Sequence, residues 1–260
     1  MEKGSLEYVE RWRIRPLTNA YPYVYLNKTP LKRNGGGEIE KTSVLTAMGV
    51  NADGFREIIG VYEGAKEDIA SWRAFLRHLK HRGLSGVKLF MADEYPGLAE
   101  VLSQTYPDAK YQRCVTHFYL SMFRLTPYAR MKTVAEILRK IYASEDEDEA
   151  MSKSIQAVAK LRLMHLEEAA DRLETGIEGT LAYMSFSEEH RDRLRTDNKL
   201  ERVMMEIQAR IRGMDESFPE DLSIFQFVCT DLRRISSNLW GKKRFLHIDS
   251  QEAAPLSTVS

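Results

Sequence analysis

The sequence predicts an α/β protein: a mixed sheet in the order βββαβαβ, followed by a long helical stretch and further helices. Three observations carry this. Near the start, the β-forming runs Tyr23 to Leu26, Ser43 to Val50 and Glu57 to Tyr62 are separated by "NGGGE" and "NADG", the turn chemistry of antiparallel hairpins. Strand-like and helical patterns then alternate, as a sheet with crossover helices requires. From Met131 to Tyr183 the pattern is almost continuously helical, without β-branched runs.

Each element has a local reason. The first three runs read as a meander, the first ending on Asn27. "KEDIASWRAFLRHLKHRG" sets Ile69, Trp72, Phe75, Leu76 and Leu79 on one helical face and closes on Gly83 as a C-cap. "VKLFMAD" is a short apolar run of the buried parallel type, "YPGLAEVLSQTYP" a short helix, and "KYQRCVTHFY" a further strand. The acidic "SEDEDEA" reads as a helix start, because carboxylates suit the positive end of the helix dipole. "RTDNKLERVMMEIQARIRG" begins a new helix and "LSIFQFVCTDLRRISSNLW" is the last. The polar tail "DSQEAAPLSTVS" reads as disordered. The chain thus divides into a sheet-bearing part over residues 12–126, a helical insertion over 127–194, returning helices over 195–247 and a tail over 248–260.

With 260 residues, 43% of them hydrophobic, the chain can bury a sizeable core. No apolar run approaches the roughly 18 residues of a membrane span, and the charged start is not a signal peptide, so a cytoplasmic location without membrane contact is expected. Cys114 and Cys229 form no disulfide framework, and free thiols are expected. The formal net charge is zero. A nucleic-acid surface would therefore depend on local clusters such as Arg11, Arg13, Arg15, Lys32 and Arg33, or Arg233, Arg234, Lys242, Lys243 and Arg244.

Two carboxylates stand where sheet chemistry places metal ligands. Asp93 ends "VKLFMAD", and Glu201 lies near the start of the helix in "RTDNKLER". Phosphodiester chemistry with two divalent cations about 4 Å apart needs hard oxygen ligands from several elements, and strand ends with a packed helix supply them. Both residues also have plainer readings. Asp93 fits the turn before the next helix, and Asn198 with Glu201 fits a capping box. Cys114 and His117 have zinc-like spacing, but a structural site needs four ligands, and the other histidines lack a matching spacing. On a strand the pair would also face opposite ways, so a buried Cys beside a packed His is the expectation.

Taken in order, "YPYVYLNKTPLKR", "VLTAMGVNADGFREIIGVYEG", "SWRAFLRHLKHRGLSGVKLFMADEYPGLAEVL", "YQRCVTHFY", "RTDNKLERVMMEIQARIR" and "WGKKRFL" resemble the catalytic domain of mutator-type bacterial insertion-sequence transposases. The resemblance runs from about Trp12 to Leu246. It implies an RNase H-like fold with a DDE triad, two Mg²⁺ ions (Mn²⁺ as substitute), DNA as partner at element ends and target, and homo-oligomers. It further implies a prokaryotic protein, nucleoid-associated when bound to DNA. By correspondence Asp93 is the second acid, Glu201 the third, and Cys114 with His117 the signature that follows the second acid. Arg195, Asn198, Lys199 and Arg202 stand around the glutamate as candidate DNA contacts.

The first acid falls at Asn27, an amide. A unit-charge pair about 4 Å apart at an effective dielectric near 20 is worth roughly 4 kcal/mol, or about three decades in binding. Lys28 follows, and the sequence leaves open that its cation points toward the same pocket. Two readings stand: a metal-dependent transposase domain that Asn27 impairs, or a transposase-derived module that binds DNA or oligomerises without chemistry.

Overall fold

A computed structural model describes residues 3–35, 38–64, 69–214 and 222–248. The tail expected to be disordered lies, from residue 249 on, outside the described residues. Helix α1 (Lys3–Arg13) precedes strands β1 (Tyr23–Gly35), β2 (Glu38–Val50) and β3 (Arg56–Gly64). Then come α2 (Ile69–His81), β4 (Leu89–Ala92), α3 (Leu98–Thr105), β5 (Lys110–Arg113) and α4 (Val115–Arg124). Helices α5 (Met131–Tyr142), α6 (Glu147–Leu163), α7 (Glu167–Gly176), α8 (Glu188–Leu194), α9 (Asn198–Gly213), α10 (Ile224–Ser237) and α11 (Leu239–Lys242) complete the described chain. The strands form one mixed sheet in the order β3-β2-β1-β4-β5. Among the described residues no helix is long and apolar enough to cross a membrane. Two compact units result, one of Met1–Phe90, Tyr95–Lys110 and Asp197–Ser260, the other of Met91–Glu94 and Tyr111–Thr196.

In the first unit, β1 pairs antiparallel with β2 from Tyr23↔Val50 to Gly35↔Glu38. β1 therefore does not end on Asn27. It runs on because Asn27, Thr29 and Leu31, all buried, alternate on one face in register with β2, and pairing sets strand length where hydrophobicity lapses. Trp72, Phe75, Leu76 and Leu79 form the buried face of α2, with Phe75 and Leu79 against β3, each worth roughly 1.5–3 kcal/mol relative to exposure. Gly60 permits this approach, since a Cβ there would lie 2.6 Å from Leu79 and 2.9 Å from Phe75. Gly54, at φ 80° in the "NADG" turn, accepts through its carbonyl the amides of Phe245 and Leu246 at 2.7 and 3.2 Å. A Cβ there would meet the Leu246 oxygen at 1.8 Å, so only glycine allows the C-terminal segment to dock on the turn.

Helix α1 was not legible as a helix, its apolar positions being few. It is held instead by cations and one buried residue: Val9 is buried, Arg13 lies over the Phe225 ring, and Arg233 of α10 sits 3.8 Å from the Tyr8 ring centroid. The outer edge of β3 is closed by side chains. The Ile58 carbonyl accepts from Arg15 at 2.9 Å, that of Ile59 from Arg82 at 2.8 Å and that of Val61 from Arg13 at 3.4 Å, while the Ile58 amide donates to Ser236 Oγ at 3.2 Å.

In the second unit, the run expected to be one strand is a strand and then a helix. β5 stops at Arg113, Cys114 is the N-cap residue of α4, and the Phe118 amide donates to the Cys114 carbonyl at 3.0 Å, which starts the helical ladder. The Cys114 amide still donates to the Ala92 carbonyl at 2.8 Å, so the chain leaves the sheet at that residue. α6 begins where the acidic run predicts, with Asp146 accepting from the Glu149 amide at 2.8 Å. It ends in a left-handed turn at His165, φ 57°, with the Leu166 amide closing on the Leu161 carbonyl at 3.0 Å. Fully buried Gln112 fastens β5 to the short turns between α7 and α8: its Nε2 donates to the Thr180 carbonyl at 2.7 Å and its Oε1 accepts from the Tyr183 amide at 2.8 Å.

Candidate catalytic site

Asn27 is 5% exposed, midway along β1 opposite Thr46 of β2. Directly opposed residues of a pair share a face, so Asn27 looks the same way as Thr46, whose Oγ1 lies 3.6 Å from Met204 Sδ on α9. Further along β1, Gln208 Nε2 donates to the Pro30 carbonyl at 3.0 Å. Glu201, Met204 and Gln208 fall at i, i+3 and i+7, one stripe of α9 lying along β1. The half-buried Glu201 is thus carried by the helix that covers Asn27's face. Asn27 Oδ1 accepts the Thr29 hydroxyl at 2.6 Å and keeps a second lone pair. Lys28 takes the opposite face because side chains alternate, so it is not aimed with Asn27, and its amide donates to Tyr95 Oη at 3.0 Å.

The start of α9 is not the capping box that its sequence suggests. Asn198 is the first helical residue, and Asp197 is the cap residue without a side-chain cap bond. Asp197 is fully buried, and its carbonyl accepts the amides of Leu200 at 2.9 Å and Glu201 at 3.2 Å. Sequence reasoning passed over this carboxylate, since only burial distinguishes it from any helix-start aspartate. Asn198, Lys199 and Arg202 are exposed, Arg202 with Glu206 one turn on at 3.5 Å.

In the second unit, Asp93 follows β4 and is not a helix cap either, the cap residue of α3 being Gly97. Asp93 Oδ1 accepts the Glu94 amide at 2.7 Å and lies 3.7 Å from His117 Nδ1, and the Asp93 carbonyl accepts the Tyr111 hydroxyl at 2.7 Å. The helical start brings Cys114 and His117 to one side, with Sγ and a ring nitrogen within 4.8 Å; the expected opposite-facing placement on a strand is corrected by the end of β5 at Arg113. Burial would raise the Glu94 carboxyl, but ion pairs with Arg172 and Arg113 outweigh it and hold Glu94 below its ordinary value. Glu94 is therefore committed to those arginines. Arg195 pairs with Asp192 at 3.2 Å. Both cysteines are free and buried, and burial pushes the Cys229 thiol up to about 12.

The chain is an α/β protein in which Asn27 lies on a central strand, Asp93 follows a second strand and Glu201 lies on a helix. The chain belongs to the mutator family of transposases, whose family model matches residues 1–240. It is 34% identical over 232 residues to the transposase for insertion sequence element IS1081 of Mycobacterium tuberculosis, covering 88% of this chain and 55% of the relative. It is 33% identical over 244 residues to the transposase for IS406 of Burkholderia multivorans, with 94% and 62% covered. Against the transposase for IS256 in transposon Tn4001 of Staphylococcus aureus identity is 26% over 250 residues, with 93% and 62% covered. The chain thus spans little more than half the length of these relatives.

Proposed function

We propose that this chain is the RNase H-like catalytic domain of a DDE transposase, with Asn27, Asp93 and Glu201 as its metal ligands and its chemistry impaired at Asn27. Family membership over residues 1–240 is the observation that carries this reading. Two further facts support it: Glu201 rides on the helix covering Asn27's face, and neither Asp93 nor Glu201 is used up by the capping roles its sequence allows. The donor set fits Mg²⁺ or Mn²⁺, being entirely oxygen. Its two carboxylates balance the charge of one divalent ion, so a second ion would draw its balance from substrate phosphates.

When bound, the ions would polarise the scissile phosphate and assist water, then a 3′-hydroxyl, as nucleophiles in cleavage and strand transfer. The chain's own residues hold and orient: Asp93 and Glu201 supply charge, and Asn27 supplies one neutral oxygen. Exposed Asn198, Lys199 and Arg202 with half-exposed Arg195 would contact the DNA backbone of element ends and target, and assembly into homo-oligomers would bring two ends together. The helical segment 127–194 would be an insertion into the catalytic core.

A second reading is favoured by Asn27 itself: a family member without chemistry that binds DNA or oligomerises. Strand joining of pre-cut duplex ends in Mn²⁺ separates the two. The first reading expects weak or absent joining by the chain as it stands and joining restored by Asn27→Asp, abolished again by Asp93→Ala. Salt-dependent DNA retention with no joining by Asn27→Asp would establish the second.

A further inference from the structure

We infer that Tyr111 and His117 are positioning residues for Asp93, and that this is what the C-x-x-H spacing of Cys114 and His117 accomplishes. The inference rests on the reading of Asp93 as a metal ligand. Asp93 lies beyond the last residue of β4, where the sheet ladder no longer fixes it. Two hydrogen bonds and one close approach from the segment 111–117 stand in for that ladder. The Cys114 amide holds the Ala92 carbonyl at 2.8 Å, the Tyr111 hydroxyl holds the Asp93 carbonyl at 2.7 Å, and His117 Nδ1 stands 3.7 Å from Asp93 Oδ1.

The order of residues follows from this geometry. Tyr111 on β5 reaches across to the Asp93 main chain, and Cys114, small and 1% exposed, turns the chain from strand to helix against the end of β4. One helical turn later, i+3 brings His117 back over the same point. The 3.7 Å separation is longer than a direct hydrogen bond, and catalytic hydrogen bonds are often this long before substrate binds and tighten in the complex. The Asp93 carboxylate accepts the Glu94 amide and faces the imidazole, and outer partners of this kind typically change metal affinity about 10–100-fold.

The test uses the full chain carrying Asn27→Asp, with two readouts. In Mn²⁺ titrations, His117→Gln should weaken affinity at least about tenfold, while His117→Asn, whose amide nitrogen replaces Nδ1, should retain it. Tyr111→Phe should weaken it also. In the metal-free chain, hydrogen exchange at the Glu94 amide, held by Asp93 Oδ1, should quicken in His117→Gln and Tyr111→Phe but not in His117→Asn. Equal behaviour of His117→Asn and His117→Gln, in both readouts, overturns the positioning role. Mn²⁺ affinity untouched by Asp93→Ala overturns the metal-site reading instead; the exchange data then still decide whether His117 and Tyr111 hold Asp93.

Discussion

At the scale of single residues, partners matter more than residue type. Asn27, proposed above as a metal ligand, offers a neutral oxygen already shared with Thr29. His78, on α2, is a second case. Its Nε2 is buried and has no hydrogen-bond partner among the described residues, and burial, followed by the nearby Arg82 and Arg13 cations and by His81, lowers its pKa from 6.5 against the opposing pull of Glu10. The sign follows from linkage. The unfolded chain takes up a proton near pH 6.5 and the folded chain only at lower pH, so unfolding binds a proton in that window. Stability is therefore full above about pH 6.5 and falls as pH drops below it. Melting temperatures between pH 7 and 5 should show this decline and lose part of it in His78→Gln; parallel curves for the two proteins would refute the assignment.

Elements show how much of the fold the sequence disclosed. The meander, α2 with its Trp72, Phe75, Leu76 and Leu79 face, β4, α3 and the acidic start of α6 were legible, because each is announced by local periodicity or turn chemistry. The continuation of β1 past Asn27 and the break between β5 and α4 were not, because partners far along the chain decide both: β2 for the first, the Ala92 carbonyl for the second. The closure of the β3 edge was equally hidden, since nothing local assigns Arg13, Arg15 and Arg82 to backbone carbonyls. Arg82 is the most buried of the three. It is buried, donates to the Arg15 and Ile59 carbonyls at 2.8 Å each, and burial lowers its pKa to about 10. Replacing it by leucine strands both carbonyls, at about 1–3 kcal/mol apiece. Urea unfolding of Arg82→Leu should show a loss of roughly 2–6 kcal/mol. A loss under about 0.5 kcal/mol, the scale of ordinary surface changes, would mean that the edge does not depend on it.

For the whole molecule, the candidate site was partly legible. Asp93, Glu201, Cys114 and His117 were singled out from the sequence, while the buried Asp197 and the grip of Tyr111 on Asp93 needed the structure. Their order along the chain pointed to a mutator-family transposase before any distance was known, and the family match is in accord. The proposed function turns on the neutral amide of Asn27, buried on β1. The most direct test is calorimetric titration of Mn²⁺ into the chain as it stands and into Asn27→Asp, with Asp93→Ala and Glu201→Ala as blanks. If Asn27 is a ligand as proposed, a unit charge gained about 4 Å from the ion makes binding tighter by about two to three decades in Asn27→Asp, with none in the blanks. Equal affinity of the two proteins, or binding unaffected by Asp93→Ala and Glu201→Ala, would contradict the account.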